Sequence, residues 1–193
     1  MKQEVASFLD YVAHSPTVFQ ATQQACDMLD AAGFTRLSEH EAWEILPGGR
    51  YYVTRNRSAL VAFAVPENGF THCQIVASHG DSPTFKLKPK AESESAGAYV
   101  RLNVERYGGM ILTTWLDRPL SIAGRALVRE DGRLVTRLID LDRDAALIPN
   151  MPIHFNRDIN NGYSYNPQVD MLPLFGDKDA KGALGAEIAA KAG

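Results

Sequence analysis

The chain has 193 residues, 45% of them apolar, and its 20 basic against 23 acidic side chains leave a formal charge of −3. That size fits one medium domain or two small ones, and no stretch approaches the ~20 consecutive apolar residues of a membrane-spanning helix. A near-neutral balance without a dense Lys/Arg stripe speaks against nucleic acid, whose phosphates demand concentrated positive charge. The expectation is a soluble protein with peptide or small-molecule partners, no nucleic acid and no membrane.

Val5, Phe8, Leu9 and Val12 recur at helical spacing, and a second periodic segment runs from Val18 to Leu29, after Ser15-Pro16 and before Gly33. Two amphipathic helices are expected. Asp10 and His14 interrupt the apolar character of the N-terminus, so it lacks the core of a secretory signal and a cytoplasmic location is expected. Cys26 and Cys73 are the only cysteines and lie in apolar surroundings, which predicts two buried thiols in a reducing compartment.

From Tyr51 the pattern shifts to short β-prone runs, YYVTR, SALVAFAV and THCQIVAS, separated by turn-forming residues. Ile75, Val76 and Ala77 are apolar on both faces, as in a central strand covered by helices. The polar stretch KAESESAG then reads as the exit from a first module. Beyond it, β-like segments at 99–106, 110–116, 120–130 and 134–142 predict a sheet rich in antiparallel pairs. Glu130-Asp131-Gly132-Arg133 carries a strong hairpin signal. Residues 149–176 read as loop-rich, and DAKGALGAEIAAKAG as a closing helix.

The sharpest chemical signal is Ser78-His79-Gly80-Asp81-Ser82-Pro83. Side chains at i and i+2 of an extended chain point the same way, so His79 and Asp81 can face one point at a strand end. A neutral imidazole there can ligate a divalent metal while the carboxylate orients it. Hydrogen bonding within a turn before Pro83 accounts equally for the pair. A serine nucleophile at Ser82 is disfavoured, because Pro83 follows it and no Gly-x-Ser-x-Gly occurs.

Three blocks go further: SHGDSPTFKLKP, YGGMILTTWLDRPLSIAGRALV and IPNMPIHFNRDINNGYSYNPQVDMLPLFG. In order and content they resemble successive signatures of the aspartyl aminopeptidase family of zinc metallopeptidases. The resemblance implies an exopeptidase that removes one N-terminal residue, often an acidic one, using two zinc ions and a bridging water. Cobalt and manganese suit the same ligand types. It implies His79 as a zinc ligand and Asp81 as the acid that orients it. It also implies His154 as a residue that reaches the substrate site of a neighbouring subunit. The fold class it implies is α/β: residues 1–92 begin a helix-covered mixed sheet of the catalytic domain, and residues 93–193 form an incomplete, β-rich, inserted dimerisation domain. A homo-oligomer assembled from dimers follows.

The family's other zinc ligands and its glutamate base belong to sequence after the inserted domain. The chain therefore reads as the N-terminal portion of an aminopeptidase, inactive alone. A non-catalytic oligomerisation module of the same ancestry is the alternative. Trp115, Asp117 and Arg118 read as a turn anchor with an Asp–Arg pair, Lys86 and Lys88 as a solvated strand face, and His14, His40 and His72 as unpartnered side chains.

Overall fold

The computed structural model describes residues 2–193 and divides the chain into two compact units, one ending at Ser82 and the other beginning at Pro83. Helix α1 (Gln3–Ala13) and helix α2 (Val18–Ala31) open the first unit. The Thr17 hydroxyl caps α2 by accepting the Phe19 N–H at 3.2 Å, satisfying one of the free amides that every helix start exposes. Tyr11 donates its hydroxyl hydrogen to the Ala21 carbonyl at 3.1 Å and ties α1 to α2.

Three strands follow: β1 (Thr35–Leu37), β2 (Arg50–Arg55) and β3 (Ala59–Ala64). The first pair is parallel and the second antiparallel, so the sheet is mixed. Asn56 and Arg57 both take positive φ, near 53°, which matches the right-handed twist of the strands they join. Tyr52 is fully buried, and its hydroxyl donates to Asp30 Oδ1 at 2.7 Å, fastening β2 to α2.

The expected central strand over 71–78 does not form. The segment is irregular, with Ile75 80% and Val76 90% exposed, and Cys73 is exposed rather than buried. A run apolar on both faces forms a strand only between two neighbours, and no described strand pairs with it. Cys26 is buried as expected, and burial pushes its thiol pKa up.

The second unit begins with a long hairpin, β4 (Thr84–Ser95) and β5 (Tyr99–Tyr107). The expected junction at 92/93 falls inside β4, which runs through KAESES despite its polarity because the pairing with β5 supplies its backbone partners. A register irregularity between Leu87 and Glu92 accommodates Pro89. Residues 112–115 form a 3-10 turn where a β segment was expected. Then come β6 (Pro119–Leu120), β7 (Ala123–Glu130), β8 (Arg133–Asp140), β9 (Ala146–Leu147) and β10 (Leu174–Asp177).

One antiparallel sheet has the order β4-β5-β10-β9-β6, and β7 and β8 pair separately. Asp131 and Gly132 turn that hairpin with φ of 48° and 79°, as the sequence predicts. Helix α3 (Ala183–Ala192) closes the chain. The Glu92 carboxylate accepts the Gly182 and Leu184 N–H groups, at 2.6 and 3.1 Å, and so caps α3 from β4. Leu102, Val104 and Leu184 form one core cluster, and Leu116, Ile148 and Met171 another.

Candidate active site

His79 and Asp81 lie at the end of the first unit, outside any helix or strand and on either side of a bend at Gly80. His79 Nδ1 is 3.1 Å from Asp81 Oδ1. The imidazole side chain is 94% exposed and the carboxylate 33%. With Nδ1–H donating to the carboxylate, the ring is held in the tautomer whose Nε2 lone pair faces outward. Gly80, between them, has no left-handed φ, and a Cβ there would make ordinary contacts with Val18 and Ser58. Neither φ nor space at Gly80 therefore demands glycine.

His154 lies in the second unit, exposed in a turn where Phe155 N–H donates to the Pro152 carbonyl at 2.9 Å. The apolar neighbours Ile153 and Phe155 are themselves exposed, so the turn is not a packed structural corner. Asp117 does not pair with Arg118. Its carboxylate accepts the Asn150 N–H at 2.9 Å, a partner 33 residues away that local sequence does not announce. Trp115 stacks edge-on against Phe85 at 5.2 Å, as an aromatic anchor should.

Lys86 keeps the expected solvated position, 4.0 Å from Glu105, whereas Lys88 turns to the Gln168 side chain. His14 has an acidic partner after all, with Nδ1 3.4 Å from Asp10 Oδ1 one helical turn back. Sequence reasoning also passes over Asp170, which accepts the Asn166 N–H at 2.7 Å and the Tyr163 hydroxyl at 3.1 Å. The Asn166-Pro167 turn is the signal that could have found it. Hydrogen bonding to that carboxylate raises the Tyr163 pKa.

A family model for the aminopeptidase I zinc metalloproteases (M18) matches residues 11–188. The chain belongs to this family. It is 44% identical over 186 residues to a probable M18 family aminopeptidase 2 of Clostridium acetobutylicum, covering 91% of this chain and 42% of that protein. A probable M18 family aminopeptidase 2 of Pseudomonas putida is 42% identical, with 86% of this chain and 39% of that protein covered. The chain thus spans about two fifths of the length of these M18 relatives.

Among solved structures, mature Ape1 of Chaetomium thermophilum superposes with a TM-score of 0.86 at 30% identity, covering 96% of this chain and 46% of that one. Ape4, determined in complex with Nbr1, gives 0.84 at 40% identity over 90% of this chain and 34% of its own. The mixed α/β architecture is therefore that of M18 proteins.

The residues present fit one corner of a zinc site. An imidazole nitrogen is a normal zinc donor, and the carboxylate on the opposite ring nitrogen is the partner that zinc-bound histidines ordinarily have. Among the described residues, no group of three or more His, Cys, Asp or Glu could hold a metal ion. What the arrangement offers is a single oriented ligand.

Proposed function

We propose that this chain is the N-terminal portion of a zinc-dependent aminopeptidase that removes the first residue of peptides, with acidic residues among its substrates. The observation that carries the reading is the His79–Asp81 pair, 3.1 Å apart with the ring open to solvent, in a chain matched to the M18 family over residues 11–188. His79 would hold zinc through Nε2, and Asp81 would keep the ring oriented and raise its basicity. With His79 holding one of two zinc ions, the site would supply a coordinated water of lowered pKa and a Lewis acid for the scissile carbonyl. The remaining ligands and a glutamate that moves protons would come from parts of the M18 protein outside residues 1–193.

In this reading residues 1–92 contribute to the catalytic domain and residues 93–193 to a dimerisation domain. His154 would enter the substrate site of a neighbouring copy. Support for assembly comes from a relative: mature Ape1 of S. cerevisiae, 26% identical with a TM-score of 0.78, forms a dodecamer. The exposure of the His154 turn suits a role outside its own unit.

The test is zinc content and hydrolysis of acidic and neutral aminoacyl substrates by the full-length protein and its His79→Ala variant. The expected result is loss of at least one zinc per subunit and a fall in kcat/KM of three or more orders of magnitude. Unchanged metal content and activity would refute the role of His79. Mixing active subunits with His154→Ala subunits tests the shared site. Activity that follows only each subunit's own His154 would refute it.

A further inference from the structure

Residues 149–170 form a long, mostly irregular loop that begins beside Ile148 and ends beside Met171, both fully buried in the same core cluster. Such a loop is pinned at its two ends, and the residues next to those ends are the ones the core can position. Asp117 stands at that base. It is a non-glycine residue with φ of 56°, next to the buried Leu116. Aspartate is one of the few side chains that tolerate this conformation, and Asp117, although exposed, is held in it by two hydrogen bonds.

What Asp117 does there is specific. Its backbone N–H donates to the Ile148 carbonyl at 2.9 Å, and its carboxylate accepts the Asn150 N–H at 2.9 Å. Pro149, between those two residues, has no N–H of its own. One residue therefore grips the chain on both sides of the point where it leaves the core. Beyond it the Asn150 side chain accepts the Met151 N–H at 2.9 Å, and the next residues close the Pro152–Phe155 turn that carries His154. Hydrogen bonds thus hold the chain from Asp117 as far as Met151, and the turn begins at the next residue.

We infer that Asp117 is a positioning residue for His154, setting where the imidazole stands when it serves the reaction; the inference rests on the reading of His154 as a substrate-site residue. Displacement of a substrate-positioning group by about 1 Å can cost on the order of 100-fold in rate. Losing the carboxylate should therefore act on kcat through His154 and leave the zinc site intact.

The experiment uses the full-length protein with Asp117→Ala, Asp117→Asn, His154→Ala and the double variant Asp117→Ala/His154→Ala. Asp117→Ala should lower kcat about 10- to 100-fold with unchanged zinc content and speed amide hydrogen exchange over 150–156. Asp117→Asn, which keeps an acceptor oxygen and tolerates the left-handed φ, should recover most of both. In the His154→Ala background, removing the carboxylate should cost nothing further in kcat. Ile139→Val, a core truncation elsewhere in the unit, controls for lowered Tm alone and should leave kcat as it was.

An equal fold-loss in both backgrounds, or a lowered Tm without a lowered kcat, would overturn the inference. So would unchanged exchange over 150–156 in Asp117→Ala. If His154→Ala is fully active while that exchange still rises, the reading of His154 fails and Asp117 remains only the anchor of the loop.

Discussion

At the scale of single residues, His79 depends on one neighbour. The Asp81 carboxylate engages Nδ1, so the other ring nitrogen is left as the donor. Asp81→Ala should weaken zinc binding by the full-length protein about 10- to 100-fold, the usual cost of removing a carboxylate behind a zinc-bound histidine. Titration with a competing chelator measures this. Equal affinities in wild type and variant would show that the pair is only a turn. The pairing of His79 with Asp81 was readable in the sequence because the two lie only one residue apart, close enough for an imidazole and a carboxylate to meet. The Asp117–Asn150 contact was not, because it joins residues 33 apart through the base of a loop.

At the scale of elements, Tyr52 ties β2 to α2. Its hydroxyl donates to Asp30 at 2.7 Å, and burial first, then that hydrogen bond, push its pKa from the ordinary 10.0 up to about 12. A group whose pKa is higher in the folded than in the unfolded state contributes its full stability below the unfolded value and loses it as pH rises through the folded one. The contribution of Tyr52 should hold up to pH 10 and fade toward about 12. Tyr52→Phe should cost about 1–2 kcal/mol at neutral pH and remove that share of the alkaline loss. Urea unfolding at pH 7 and through pH 10–11 checks both parts. A variant as stable as wild type at pH 7, with the same alkaline decline, would contradict this.

The elements themselves were legible where periodicity or a turn motif stood alone. Both N-terminal helices, the Asp131-Gly132 hairpin and α3 appear where the pattern puts them. The failures share one cause, that a strand depends on a pairing partner and not on its own composition alone. The polar residues of KAESES are strand because β5 pairs with them, and the apolar run at 75–77 is not strand because no described strand does. Val76 shows how much a buried-strand pattern relies on something to be buried against.

At the scale of the whole molecule, assembly should use an exposed apolar face, and the second unit has one candidate. Its β7–β8 hairpin packs one side, including Ala126, Val128 and Ile139, into a core cluster. Leu127 and Leu134 lie diagonally adjacent on the opposite side, each 64% exposed. Apolar residues adjacent on an exposed sheet face mark an association surface more often than isolated ones do. Leu127→Glu/Leu134→Glu should lower the oligomeric state of the full-length protein in sedimentation without lowering Tm by more than a few degrees. An unchanged oligomer would place its interface elsewhere.

The central claim is that the His79 imidazole is a zinc ligand held by Asp81. A crystal structure of the full-length protein grown with zinc, with anomalous scattering recorded at the zinc edge, tests it most directly. An ion should lie about 2.0–2.1 Å from His79 Nε2, with Nδ1 still directed at the Asp81 carboxylate. A zinc peak elsewhere, with the His79 ring turned away from every ion, would contradict it.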